Sequence, residues 1–308
     1  MSSTADELYS FIKVDMNLET FSYWYGEPSH TMYQKKEVIK KDGGTRRLLI
    51  PHPAIAKIQK AIIPLLEQYP LVDNAYGHRR DSGGGAVEHG YEHLAPFILR
   101  MDIKNFFSST TPSMFHRAIY LIHGTQLCRN LYDFTPLLFY TPPHEGVAYL
   151  PTGAPTSPLV ASVAFTPIDR WIINRLSPGI AYTRYMDDLY FSGDEYVAEL
   201  QKEITAGVEK HGWKINHNKN RIMIRGRDKQ IVTGVCVSGS KYRLSKAFRR
   251  KLRAELDKDA SKSVDEMSAR MKGKMAYVSQ VDEALYIKLS EYFLKRKEYW
   301  DKVNDIPF

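Results

Sequence analysis

The sequence predicts an α+β chain, with a mixed sheet-and-helix body in residues 1–240 and a helical, basic C-terminal piece in residues 241–308. Three observations lead there. Short apolar runs of strand length come in hairpin-like pairs in the first part. Between them lie stretches of helical period, two of them opened by Thr-Pro or Thr-Ser-Pro. From Ser245 onward the pattern is helical throughout and polar enough for a small bundle, with the boundary near Gly239-Ser240.

In chain order, Lys36 to Ile50 reads as a hairpin turned at Lys41-Asp42-Gly43-Gly44. Ile55, Ile58 and Ile62 recur at helical spacing, with Pro64 kinking or ending that helix. Asp81 to Gly90, containing Gly83-Gly84-Gly85, reads as a flexible loop, with a phosphate cradle as the alternative use of its glycines. Phe97 to Met101 is an apolar strand ending at Asp102. Thr111-Pro112 opens a helix that Gly124 closes, and Thr156-Ser157-Pro158 opens another in the same manner. Ile180 to Ser192 is a pair of strands folded about Tyr185-Met186-Asp187-Asp188. Glu195 to His211 is an amphipathic helix capped by Gly212, and Arg221–Arg225 with Gln230–Val237 reads as a second hairpin.

Composition narrows the function. The chain has 308 residues, 43% of them hydrophobic and 25% charged, as in an ordinary globular protein. No apolar run is long enough to cross a bilayer, and Met1 to Ser10, with Asp6 and Glu7, does not read as a signal peptide. Cys128 and Cys236 stand too far apart for a zinc knuckle and are too few for a disulfide framework, so a reducing cytoplasm is the expected setting. The net charge of +8 favours a polyanionic partner. That charge is concentrated: Lys219 to Lys258 holds 13 basic and 3 acidic side chains, and the remainder is slightly acidic. A polyanion would therefore meet one stripe of the molecule.

Two acidic positions stand out. Asp102 ends an apolar strand, and Asp187-Asp188 lie at the apex of a hairpin flanked by Tyr182, Tyr185, Leu189, Tyr190 and Phe191. Carboxylates in such places are costly unless hydrogen-bonded, exposed at a turn, or holding a cation. Mg²⁺ takes hard oxygen ligands, commonly carboxylates together with substrate phosphates. A pair of such ions activates a hydroxyl and stabilises the leaving oxygen of an in-line displacement at phosphorus.

Five segments in a fixed order carry a resemblance. Arg46-Arg47-Leu48-Leu49-Ile50-Pro51, Met101-Asp102-Ile103-Lys104-Asn105-Phe106-Phe107, Leu150 to Pro158, Tyr182 to Leu189, and Ile215-Asn216-His217-Asn218-Lys219 together resemble the reverse transcriptase family, over about Lys35 to Lys258. The resemblance implies a right-hand polymerase. Its fingers and palm, an antiparallel sheet with helices, would occupy residues 1–240, and a small helical basic thumb residues 241–308. It implies RNA-directed DNA synthesis, a nucleotidyl transfer by a two-metal mechanism, with two Mg²⁺ ions and Mn²⁺ as a substitute. Asp102, Ile103, Asp187 and Asp188 would form the metal site, with the three aspartates catalytic and Asp188 the more peripheral.

The same resemblance places Arg46, Arg47, Phe107, Thr152, Gly153 and Lys219 around the incoming nucleotide. Arg46 and Arg47 offer forked donors to phosphate, and which of them turns inward stays open. Phe107 would sit under the sugar and exclude a 2′-hydroxyl, its plain alternative being a core phenylalanine. Lys219 would neutralise or protonate the departing pyrophosphate, its plain alternative being a surface lysine. Gly153-Ala154 leaves backbone free to approach a nucleotide. Arg243, Lys246, Arg249, Arg250, Lys251 and Arg253 would track nucleic-acid phosphates, with Lys246, Arg249 and Arg253 on one helical face; a merely solvated face is the alternative.

Within the family, Thr152-Gly153-Ala154-Pro155-Thr156-Ser157-Pro158 and Val232-Thr233-Gly234 resemble bacterial retron enzymes. Three departures are visible. Asn74-Ala75-Tyr76-Gly77-His78 matches the retron Asn-Ala-x-x-His string but stands 24 residues before Asp102 at its last position, and His89-Gly90-Tyr91-Glu92-His93 occupies the expected place. Met186 stands where alanine is commoner, and Thr152 where many relatives have glutamine. The retron resemblance implies a cognate structured non-coding RNA as template and primer, dNTP substrates, a branched RNA–DNA product (msDNA), and anti-phage defence with a separate effector protein, without a membrane partner. The alternatives are another bacterial defence or intron-type reverse transcriptase with a separate primer, and a catalytically silent RNA-binding scaffold.

Overall fold

The structure is a computed structural model that describes residues 4–304, apart from 40–42, 78–81, 124–125, 145, 195, 239–241 and 263–266. Eleven strands are present among them: β1 (Tyr33–Ile39), β2 (Thr45–Pro51), β3 (Ala75–Tyr76), β4 (Phe97–Lys104), β5 (Ala181–Tyr185), β6 (Asp188–Gly193), β7 (Lys214–Ile215), β8 (Arg221–Ile224), β9 (Ile231–Val232), β10 (Val235–Cys236) and β11 (Arg243–Leu244). The central sheet runs β3-β5-β6-β4-β7, with β8 also paired to β4. Its pairings are antiparallel except for β3, which lies parallel to β5.

The apolar run of β4 explains its central place, since Ile98, Leu99, Met101 and Ile103 are all buried. In the β4–β6 register Asp102 stands opposite Asp188. In the β5–β6 register Tyr185 stands opposite Asp188, which leaves Met186-Asp187 as a two-residue turn. Against this sheet packs the helix Ser157–Ile173, twelve of whose residues are buried, with Arg170 and Ile173 exposed in its last turn. Pro158 lies in its first turn as expected, but Thr156 makes no side-chain cap.

The predicted hairpin forms as β1 and β2, with Lys41-Asp42 of its turn outside the described residues. The helix Pro53–Leu66 runs through Pro64 and stops two residues later, within its last turn. The helix Pro112–His123 has Thr111 at its start, whose hydroxyl accepts from the Met114 amide at 3.4 Å. Gly124, expected to close it, lies outside the described residues. The stretch expected as Glu195–His211 is a 3-10 turn, Val197–Glu199, followed by the helix Leu200–Lys210, and Glu195 lies outside the described residues.

Two expectations are corrected. The glycine-rich stretch is not a loop, because Ser82–Tyr91 is helical. Gly90 serves packing: a Cβ there would stand 3.0 Å from Val235 Cβ, so its absence suits the close approach of this helix to β10. Arg221–Arg225 and Gln230–Val237 do not pair with each other. β8 extends the central sheet along β4, and β10 sits between β9 and β11 in a separate small sheet.

The C-terminal helices are Lys246–Ala260, Ala269–Val281 and Glu283–Asn304. The larger core joins the N-terminal helices, the 157–173 helix and one face of the sheet. A second core joins the C-terminal helices to Val87, Ile98, Tyr190, Met223, Val232, Val235 and Val237. The chain after residue 240 thus shares its interior with the back of the sheet. Among the described residues no helix is long and apolar enough to cross a membrane.

Candidate active site

Asp102, Asp187 and Asp188 come together at one end of the sheet. The Ile103 amide donates to the Asp187 carbonyl at 2.7 Å, so the two acidic segments are joined backbone to backbone. Asp102 is 2% exposed, and both of its carboxylate oxygens are used. One accepts from Asn216 Nδ2 at 3.0 Å and the other from Lys219 Nζ at 2.9 Å. The Asn216 amide also donates to the Asp102 carbonyl at 2.7 Å, which sets the fifth motif beside the second.

Asp188 is held differently. The Arg100 guanidinium donates to both of its oxygens at 2.8 Å from Nη2 and again at 3.0 Å from Nε. Arg100 and Asp102 are two apart on β4 and so share a strand face. Burial pushes the Asp188 carboxyl up to about 6, against the pull of Arg100 and helped by Asp187. Asp187 is also raised, by burial and then by the Asp102 charge. Two side-chain cations, Arg100 and Lys219, thus pair with Asp188 and Asp102.

Among the described residues no group of three His, Cys, Asp or Glu side chains is arranged to hold a metal ion. Asp188 is turned onto Arg100 and Asp102 onto Lys219. The donor set is chemically suited to a hard dication, being oxygen ligands with a mutual repulsion that such a charge relieves.

The expected nucleotide residues fall into two groups. Phe107 is half-buried at the edge of the larger core, its ring 5.7 Å from Phe106. Lys219 sits in a 3-10 turn, His217–Lys219, with its side chain 57% exposed. These two stand close in the fold to Asp102. Thr152 and Gly153 lie instead against the β1–β2 hairpin, where the Leu49 amide donates to the Thr152 carbonyl at 2.8 Å. Gly153 has φ +126°, and a Cβ there would be 2.9 Å from the Leu49 carbonyl. The close approach that requires glycine is thus to strand β2.

Arg46 and Arg47 are both exposed on β2 and point to opposite faces. Arg47 shares the face of buried Leu49, and Arg46 that of exposed Ile50. Arg243, Lys246, Arg249, Arg250, Lys251 and Arg253 are all exposed. Lys246 opens the 246–260 helix, which Ser245 caps by accepting from the Phe248 amide at 3.2 Å, while Leu252 and Leu256 face inward. Arg253 also lies over the Tyr292 ring at 5.6 Å.

Asn74-Ala75-Tyr76 does not stand apart from the site. β3 pairs with β5, and Asn74 Nδ2 donates to the Tyr182 carbonyl at 2.7 Å. His78 of that string lies outside the described residues. His93, at the other position, links β5 and β6 through Thr183 at 2.5 Å and Ser192 at 2.7 Å. Sequence reasoning did not single out Arg100 or Asn216 as site residues. The i, i+2 relation of Arg100 to Asp102 was the available signal.

A family model described as "Reverse transcriptase (RNA-dependent DNA polymerase)" matches residues 38–268. The retron Mx65 reverse transcriptase of Myxococcus xanthus is 31% identical over 265 residues, covering 80% of this chain and 60% of that protein. The retron Ec73 reverse transcriptase of Escherichia coli is 26% identical, covering 86% of this chain and 88% of that protein. The chain spans about three-fifths of the length of the two Myxococcus retron relatives it matches. Among solved structures, apo telomerase from Candida tropicalis superposes with a TM-score of 0.51 at 12% identity, covering 90% of this chain and 63% of that one, which speaks to the fold.

Proposed function

The chain belongs to the reverse transcriptase family, and from that premise we propose that it is a retron-type RNA-directed DNA polymerase acting in the bacterial cytoplasm. The observation that carries this reading is the convergence of Asp102, Asp187 and Asp188 through the β4–β6 register, with Lys219 beside them. Asp102, Ile103, Asp187 and Asp188 would hold two Mg²⁺ ions, or Mn²⁺ in their place. When bound, such ions lower the pKa of an attacking hydroxyl and stabilise charge on phosphoryl oxygens.

The chain's own residues do the rest. Lys219 presents a proton at Nζ to the departing pyrophosphate. Phe107, backed by Phe106, offers a fixed ring against which a 2′-hydroxyl would clash. Arg46, on the strand face that is not packed on the core, is the better placed of the two arginines to fork onto the triphosphate. Thr152 and Gly153 tie the nucleotide-positioning loop to that strand. Lys246, Arg249, Arg250 and Arg253, with Arg243, would follow the backbone of the RNA or RNA–DNA duplex. Similarity to retron enzymes supports a cognate structured RNA as template and primer, a branched RNA–DNA product, and a defence role with a separate effector.

The test is to purify the protein with its co-expressed RNA and analyse the bound nucleic acid before and after RNase. A branched DNA of fixed length is expected. Unbranched DNA would remove the retron mode of priming, and RNA alone would leave a binding scaffold. Asp187→Asn combined with Asp188→Asn should abolish DNA synthesis while RNA binding stays nearly intact; residual synthesis would place the metal site elsewhere.

A further inference from the structure

Arg184 and Asp169 form an ion pair whose side chains are both fully buried. Arg184 Nε donates to Asp169 Oδ1 at 2.9 Å and Nη2 to Oδ2 at 2.7 Å, a two-pronged contact. The Tyr182 hydroxyl donates to the same carboxylate at 2.7 Å. The guanidinium lies 5.0 Å from the Phe165 ring and 5.9 Å from that of Phe106. Its remaining nitrogen, Nη1, donates to the Met186 carbonyl at 3.2 Å.

Burying two charges costs several kcal/mol, and apolar pairs of similar volume usually stabilise a core as well or better. Stability is therefore a poor reason for this pair, and its third donor points to another. Met186 has φ +55°, the left-handed region, which an L side chain disfavours. The Met186 carbonyl belongs to the planar peptide that carries the Asp187 nitrogen. A donor fixed on that oxygen therefore fixes the plane from which the Asp187 side chain departs. Asp169 belongs to the 157–173 helix, which follows the Thr152-Gly153 loop, and Phe106 lies four residues after Asp102. One guanidinium thus touches the 157–173 helix, the Phe106 ring and the turn that carries Asp187.

We infer that Arg184 is a positioning residue: held by Asp169, it orients the Met186–Asp187 peptide so that the Asp187 carboxylate faces a divalent cation. This rests on reading Asp187 as a cation ligand. Two variants test it. Arg184→Lys keeps the buried positive charge but has one compact head, which cannot hold Asp169 and reach the Met186 carbonyl together. Asp169→Asn with Arg184→Gln removes both charges and keeps neutral hydrogen-bonding groups.

The readouts are Mn²⁺ binding to the purified protein, measured by electron paramagnetic resonance without nucleotide, and the Mg²⁺ concentration for half-maximal DNA synthesis. Folding is checked by circular dichroism. Both variants should fold and should bind Mn²⁺ about ten- to a hundredfold more weakly, the usual effect of losing a partner that orients a ligand. The Mg²⁺ requirement should rise by the same factor. Folded variants with wild-type Mn²⁺ affinity would overturn the inference, as would a double variant that cannot fold, since the pair would then serve the core. If the wild-type protein makes no DNA yet both variants lose Mn²⁺, the polymerase reading fails and the positioning role stands.

Discussion

Adjacent aspartates in one turn have different surroundings. Asp188 is clasped by Arg100, whereas Asp187 is crowded by Asp102 and carries the turn that Arg184 holds. The three aspartates were legible in the sequence because each sits in a short motif. Arg100 was not, because its partner lies 88 residues away, and its place two residues before Asp102 hinted at a shared face but not at Asp188. The nucleotide residues divide in the same way. Arg46→Ala should raise the KM for dNTPs about tenfold, the effect of removing one charge-assisted hydrogen bond, and Arg47→Ala should change it less; steady-state primer extension compares them, and the reverse ranking would exchange their roles. A second prediction concerns His93. Burial holds its imidazole down to about 3, while a histidine in the unfolded chain titrates near 6.5. Between those values the unfolded chain binds a proton that the folded one does not. Stability should therefore fall on acidification below about pH 6.5, with a slope approaching about 1.4 kcal/mol per pH unit for this group. Urea midpoints at pH 7, 6 and 5 measure the slope, and His93→Gln should flatten it.

At the scale of elements, what the sequence showed best was what local pattern decides. The β1–β2 hairpin, the β5–β6 turn and the Pro158 helix all follow from alternation, turn residues and helix-start signals. The errors fell where tertiary packing decides. Gly83-Gly84-Gly85 suggested a loop, yet the stretch is helical, with Gly90 packed closely on β10. β8 found β4 and not β9, since an open sheet edge with buried neighbours offered more apolar contact than a short hairpin. The 246–260 helix allows a direct measurement. Replacing Lys246, Arg249 and Arg250 with Gln should lower the slope of log affinity against log salt by about 0.7–0.9 for each phosphate that is no longer neutralised. The melting temperature should hardly move, because these side chains are exposed. An unchanged salt slope would return the helix face to plain solvation.

Across the whole molecule, two cores are stitched together by one sheet. Ile98 on β4 and Tyr190 on β6 belong to the second core, while their strand neighbours Leu99 and Leu189 belong to the first. Residues 1–240 expressed alone would expose Ile98, Tyr190, Met223 and Val235. That fragment should aggregate or unfold at far lower denaturant than the full chain, and the full chain should melt in one transition by calorimetry. Leu256→Ala, in the C-terminal helices, should cost about 2–5 kcal/mol. Two separate melting transitions would contradict the shared interior.

That shared interior bears on how such a protein can be recombined. Tyr91 donates its hydroxyl to the Gln280 carbonyl at 2.8 Å and receives the Tyr242 hydroxyl on its own carbonyl at 3.3 Å, so the chain crosses the 240 boundary repeatedly in space though only once in sequence. A chimera that exchanges only residues 241–308 between relatives would graft one half of a jigsaw onto a foreign edge. A transplantable unit would begin before β9 and carry the 82–91 helix with it. Changes in which RNA is gripped and changes behind the catalytic strands would then be inherited together.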